Sequence, residues 1–257
     1  MGSHARFLRG EYPAASYQPS GNKSTAGCDP AYADPSNPTT LPPQTETTIG
    51  ELLSANGISW AWYGGACQAA LSRNGRAANF QYHHQPFNYF ASVAPGTAER
   101  AEHLKDGGLD GAAFVGRDRA GKLEQVVFYK PQGSLTEHPG YTDVKTGDAH
   151  IASVIEELQK SPQWSHMVVI VTYDENGGFW DHVAPPKGDR WGPGSRVPAI
   201  IVSPFAKKGY VDHTPYDTTS ILRLITRRFD LPVRPRIRAR DEAMRANGEP
   251  PWGDLTK

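Results

Sequence analysis

The stretch from His166 to His182, reading HMVVIVTYDENGGFWDH, constrains this chain more than any other. Its five apolar residues, Met167 to Val171, include four β-branched ones in a row, Val168 to Val171. A short continuous apolar run of this kind is the pattern of a strand buried on both faces, as in a parallel sheet. The run leads into the adjacent carboxylates Asp174 and Glu175, the amide Asn176 and the pair Gly177-Gly178. Ligands of open α/β sheets bind beyond the carboxyl ends of the strands, so a rigid strand would deliver both acids to where chemistry takes place. Adjacent carboxylates repel, and a cation is the commonest reason to hold them together at a buried strand end. The two glycines let the backbone turn sharply and approach a ligand. A solvated turn would use the same Asp and Asn chemistry. Asp181 and His182 just downstream favour the reading as a site.

Composition narrows the function classes. The chain has 257 residues, enough for one large α/β domain or two small ones. Its 27 basic and 27 acidic side chains cancel, so it lacks the clustered basic excess of a nucleic-acid footprint. The basic stretch from Arg227 to Arg240 reads as a solvated surface segment. No apolar run approaches the roughly 20 residues of a membrane span, and the N-terminus has no signal-peptide core. Cys28 and Cys67 are the only cysteines. One disulfide, suited to an oxidising compartment, and two buried thiols both fit that count.

Organisation follows from punctuation and period. Residues 1–47 are rich in Pro, Gly, Ser, Thr and Asn and read as a loop-rich segment. Thr48-Ile-Gly-Glu51 has the form of a capping box and opens a helix that Gly57 stops. Strands are expected at 58–63, 112–116, 123–129, 167–173 and 197–202. Ile151, Val154, Ile155 and Leu158 fall at helical spacing and predict an amphipathic helix between Asp148 and Lys160. A second helix is expected from about Thr218 to Phe229. The alternation of strands and helices argues for an α/β sandwich. Residues 232–257 read as an extended tail.

Few residues outside the 166–182 stretch suggest chemistry. His83-His84 lies among aromatics and could supply a metal ligand, a phosphate donor or a general acid, or simply pack in a loop. His138 sits in the turn-rich Thr136-Glu-His-Pro-Gly-Tyr141. His103, His150, His166 and His213 read as surface histidines. There is no phosphate-binding G-x-x-x-x-G-K-[ST], no G-x-S-x-G elbow and no H-E-x-x-H.

Together these motifs resemble a bacterial phosphoesterase family that contains acid phosphatases and phosphatidylcholine-hydrolysing phospholipases C. The most specific match is Val171-Thr-Tyr-Asp-Glu-Asn-Gly-Gly-Phe-Trp-Asp-His-Val-Ala-Pro-Pro186. His84-Gln-Pro-Phe-Asn-Tyr-Phe90, Glu137-His-Pro-Gly-Tyr141 and Gly194-Ser-Arg-Val-Pro-Ala-Ile-Ile-Val-Ser-Pro204 support it in the same order. The resemblance covers Thr48 to Leu231, so residues 48–231 are expected to be the phosphoesterase portion. It implies an alkaline-phosphatase-like α/β/α sandwich, incomplete on the N-terminal side. It implies that Asp174 and Glu175 hold one divalent metal ion, and that His83, His84 and His138 act on the phosphate. Asp181 and His182 are assigned a supporting role behind the metal ligands.

The implied activity is metal-dependent hydrolysis of a phosphate ester or phospholipid, in a secreted or periplasmic setting. Family members open with a Glu-Asn metal motif and carry a Ser or Thr nucleophile further on, and residues 1–47 contain neither. The chain therefore resembles the C-terminal portion of such an enzyme. A catalytically silent fragment or pseudoenzyme that binds metal, phosphate or a partner is the alternative. A sulfatase- or phosphomutase-like relative is a third, less favoured by the motifs. Missing strands would leave an exposed sheet edge suited to self-association. Trp60, Trp62 and Trp180 are candidates for cation–π contact with a choline group, although core packing is the simpler role for the first two.

Overall fold

A computed structural model describes residues 43–71, 84–94, 96–140, 142–185 and 193–256. In chain order its helices and strands are α1 (Ile49–Ala55), β1 (Trp60–Gly65), α2 (Cys67–Leu71), α3 (Ala98–His103), β2 (Leu104–Gly108), α4 (Ala112–Arg119), β3 (Val126–Lys130), α5 (Val144–Leu158), β4 (Val169–Thr172), β5 (Ala199–Val202), α6 (Thr218–Arg228) and α7 (Pro235–Ala246). Mixed helices and a parallel sheet make this an α/β protein. The chain divides into two compact units, Met1–Thr48 with Ser59–Trp164, and Ile49–Ile58 with Ser165–Lys257.

The first unit is built on three parallel strands in the order β2-β1-β3. β1 is central, and its alternating side chains serve two different layers. Trp60 stacks on His103 at 4.2 Å and leans on Phe87 at 4.8 Å, while Trp62 stacks on its cross-strand partner Phe128 at 5.5 Å. On the opposite face Tyr63 meets Phe114 of α4 at 5.3 Å, and Phe114 stacks on Tyr129 at 4.6 Å. Trp60, Ala61 and Tyr63 are almost wholly buried. Trp60 and Trp62 therefore act as core aromatics. Tyr63 also donates to Glu124 at 2.9 Å, and Lys105 and Arg117 reach the same carboxylate at 2.7 and 2.8 Å. Burial alone would raise the Glu124 pKa. The hydrogen bonds from Lys105, its own backbone and Tyr63 outweigh that and hold it below the ordinary glutamate value.

The strand ends are crossed closely by the chain. A Cβ on Gly65 would stand 2.2 Å from the backbone nitrogen of Gln132, so only glycine lets the segment after β3 pass there. α5 begins at Asp143, whose carboxylate accepts from the Thr146 amide at 2.7 Å, one turn earlier than the apolar period predicts. Residues 112–116, expected as a strand, form the first part of helix α4 instead. Five residues are too few to separate the two periods, and the helix continues through the polar Arg117-Asp-Arg119.

In the second unit β4 and β5 form a two-stranded antiparallel sheet, with Val169 opposite Val202 and Thr172 opposite Ala199. This corrects the expectation of a parallel strand buried on both faces. β4 is half-buried, and Ile200 of β5 is 58% exposed. Among the described residues β5 is its one partner strand, and the β-branched run keeps part of its surface in water.

α6 is capped by Asp217, which forms a reciprocal capping box with Ser220. α7 lies within the stretch expected to be extended. Pro235 opens it, and two ion pairs tie it to α6. Arg240 meets Asp217 at 3.1 Å with both side chains buried, and Arg223 pairs bidentately with Asp241. Such contacts leave no apolar stripe in the sequence, which is why periodicity misses this helix.

Candidate functional site

The loop that leaves β4 carries the predicted carboxylates, and its own hydrogen bonds shape it. Glu175 accepts from the Gly177 amide at 2.7 Å, and Asn176 accepts from the Gly178 amide at 2.8 Å. Asn176 also donates to the Ser195 hydroxyl at 2.8 Å, joining the loop to the segment that enters β5. Both glycines adopt positive φ, as the sequence predicts for a sharp turn. Asp174 and Glu175 are exposed.

Asp181 closes the loop. It accepts the Arg196 guanidinium through Nε at 3.0 Å and Nη2 at 2.8 Å, the Arg196 amide at 2.9 Å and the Val183 amide at 3.1 Å. Bidentate guanidinium–carboxylate pairs combine strength with fixed geometry. The Arg196 side chain and the two backbone amides hold the Asp181 carboxyl well below the usual range. The structure thus makes Asp181 the clasp of the loop. His182 is exposed beside it, and Trp180, 83% exposed, projects from the same turn.

The predicted histidines belong to the first unit. His84 is buried and lies two residues before the turn Pro86–Tyr89, whose Phe87 enters the aromatic layer beneath β1. His138 is exposed on the loop between β3 and α5, with Nδ1 2.7 Å from the Pro139 carbonyl oxygen. A carbonyl only accepts, so Nδ1 carries a proton and donates it to Pro139. His83 lies outside the described residues. The structure brings Asp174, Glu175, Asp181 and His182 onto one loop of the second unit, and places His84 and His138 in the first.

Asp174 and Glu175 are hard oxygen donors of the type a divalent cation takes, so their chemistry fits the implied metal. Such cations take about six or more oxygen ligands. Among the described residues no group of three or more His, Cys, Asp or Glu side chains gathers around one point.

Sequence reasoning missed a second polar cluster, beyond the carboxyl ends of β1 and β3. Gln132 accepts from the Asp110 amide at 2.9 Å and donates to the Asp110 carboxylate at 3.3 Å and the Ser134 hydroxyl at 3.0 Å. The Tyr129 hydroxyl lies 2.9 Å from His150 Nε2. Burial raises the tyrosine pKa and lowers that of the histidine, so burial favours the neutral form of both. His150 and His103, read as surface residues, are thus a helix side chain bonded to Tyr129 and a core ring stacked on Trp60. The available signal was spacing, since His150 precedes Val154 by four residues and shares its helix face. Cys67 is disulfide-bonded, and Cys28, the only other cysteine, lies outside the described residues.

Comparison with known proteins places this geometry in context. The model of the Phosphoesterase family matches residues 4–232, extending well upstream of residue 48, where the resemblance in the motifs begins. A non-hemolytic phospholipase C of Pseudomonas aeruginosa is 30% identical over 221 residues, covering 72% of this chain and 30% of the relative. Phospholipase C A of Mycobacterium tuberculosis is 30% identical over 268 residues, covering 90% of this chain and 48% of the relative. Non-specific phospholipase C1 of Arabidopsis thaliana is 31% identical over 175 residues, covering 58% of this chain and 32% of the relative. The chain therefore spans between about a third and a half of the length of these relatives.

Proposed function

The chain belongs to the phosphoesterase family, and from that membership we propose that it hydrolyses phosphoric esters in the manner of a phospholipase C. The observation that carries this reading is the family match over residues 4–232, with the paired carboxylates delivered at the end of β4. The names of the relatives favour a phospholipid over a small phosphomonoester, which an acid phosphatase would take. The fold we propose for the whole is the alkaline-phosphatase-like α/β/α sandwich.

Asp174 and Glu175 are the residues that would hold a divalent cation. When bound, such an ion polarises a phosphoryl oxygen and eases attack at phosphorus. The clasp between Asp181 and Arg196 fixes the loop that carries both acids, and the exposed His182 follows Asp181 in a supporting role. His138, held by its Nδ1–H on the Pro139 carbonyl, would hand over a proton from Nε2 as an imidazolium, passing that proton to the leaving oxygen and returning to the neutral ring. His83 and His84 donate to the non-bridging phosphate oxygens. The exposed Trp180 ring offers a face to a quaternary ammonium headgroup. A disulfide at Cys67 suits a secreted or periplasmic setting. No described helix is long and apolar enough to cross a membrane. We also assign the exposed β4–β5 sheet to self-association.

The test is hydrolysis of p-nitrophenylphosphorylcholine and p-nitrophenyl phosphate by the purified chain, with and without added divalent metal. Turnover should require metal and prefer the choline ester. Asp174→Ala should cost more than the roughly 10–100-fold that losing an outer partner of a metal ligand costs. Equal turnover by Asp174→Ala, or turnover indifferent to metal, would overturn the assignment. A second reading is a catalytically silent fragment or pseudoenzyme that binds metal, phosphate or a partner. A folded chain that binds phosphate without turnover would establish it.

A further inference from the structure

Two residues that violate local preference meet each other in the first unit. Glu137 adopts φ +63, a left-handed conformation that side chains other than Asn, Asp and Gly seldom take. It is also 5% exposed, unusual for a glutamate. Gly147 lies in the first turn of α5, where glycine weakens a helix relative to alanine. A Cβ on Gly147 would stand 2.2 Å from Glu137 Cγ, 3.0 Å from its backbone nitrogen and 3.2 Å from Cδ. The stem of Glu137 therefore lies flat against the helix backbone, at a residue that presents no side chain. The close approach explains the glycine: any side chain at 147 would meet the Glu137 stem.

The next residue in the chain is His138. Its loop is held at both ends: Thr136 Oγ1 donates to the Gly133 carbonyl at 2.9 Å, Thr142 Oγ1 to the Ser134 carbonyl at 2.8 Å, and the Thr142 amide to the His138 carbonyl at 3.2 Å. Glu137 points inward and is pinned, so its neighbour is turned outward with Nδ1 on the Pro139 carbonyl. Backbone strain that persists beside a group with a chemical task is a form of preorganisation. We propose that Glu137, seated on Gly147, is a positioning residue that sets the direction of His138 Nε2. This rests on the reading of His138 as the proton donor.

Four variants test it: Glu137→Gln, Glu137→Gly, Gly147→Ala and His138→Ala. Glycine at 137 accepts the positive φ and adds no clash, so Glu137→Gly keeps the fold while removing the seat. In hydrolysis of p-nitrophenylphosphorylcholine with metal present, Glu137→Gly and Gly147→Ala should lower kcat on the order of 10- to 100-fold with KM nearly unchanged, the scale of a misplaced catalytic group. Glu137→Gln, which keeps the shape, should stay near the parent. In a His138→Ala background, Glu137→Gly should add nothing.

A second readout does not need turnover. The ring Cε1–H resonance of His138, assigned by its loss in His138→Ala, should be single in the parent and Glu137→Gln, and shifted or broadened in Glu137→Gly and Gly147→Ala. An unchanged resonance and unchanged kcat in Glu137→Gly would overturn the proposal. A His138→Ala variant with full turnover would overturn the proton-donor reading instead, leaving the resonance to decide the positioning.

Discussion

β1 and β4 invert the usual link between hydrophobicity and burial. β4 reads Val-Ile-Val-Thr and β1 reads Trp-Ala-Trp-Tyr-Gly-Gly, yet β1 is the buried strand and β4 the half-exposed one. β1 has a parallel neighbour on each side, helix α4 packed on one face and Phe87 with His103 on the other. Among the described residues β4 has one antiparallel neighbour, and that neighbour exposes Ile200 and Ile201. Burial is thus set by the number of covering partners, and the apolar side chains only make it favourable. The second unit relies instead on polar ties: the pairs Arg240–Asp217, Arg223–Asp241 and Arg227–Asp254 join its helices and C-terminal segment.

Four substitutions bear on this contrast. Trp60→Ala should produce the largest loss, about 3–5 kcal/mol, because it empties the centre of an aromatic layer. Ile200→Lys should cost under about 0.5 kcal/mol, as an exposed surface change does, and reduce any self-association seen in sedimentation. Equal losses in denaturant titrations would erase the distinction between the two sheets.

Next in size, Arg240→Ala should cost about 3 kcal/mol, since it leaves the buried Asp217 carboxylate without its cation. A cost near that of an exposed pair, below about 1 kcal/mol, would show that α7 is held by other means.

The smallest effect concerns pH. The Glu124 carboxyl is held below its unfolded value, so its contribution is present above about pH 4.3 and lost as pH falls through the lower, folded value. The melting temperature of the parent should drop over that acid range, and Glu124→Gln should flatten the drop. A variant curve parallel to the parent would remove Glu124 from the account.

Several elements are legible in the amino-acid sequence alone. The helix over 144–158 announces itself through Ile151, Val154, Ile155 and Leu158, and the capped helix at 218–228 through its own apolar spacing. The carboxylate loop is legible because Gly177 and Gly178 punctuate it and Asp181 follows at short range. Other features carry no local signal. Glu137 and Gly147 are ten positions apart, and the reason for the glycine lies in their contact. Helix α7 is held by guanidinium–carboxylate pairs, which no apolar period records.

By itself the sequence determined the place of several regular elements, the family and the loop that carries Asp174 and Glu175, because propensity, capping and turn chemistry act between neighbours in the chain. Tertiary structure alone decided that the most apolar strand pairs antiparallel and stays half-exposed. It also decided that His103 and His150 are structural partners of Trp60 and Tyr129, and that Asp181 is clasped by Arg196. Those outcomes depend on which surfaces remain to cover one another once the local elements exist. That is a property of the packed whole, which no single window of residues contains.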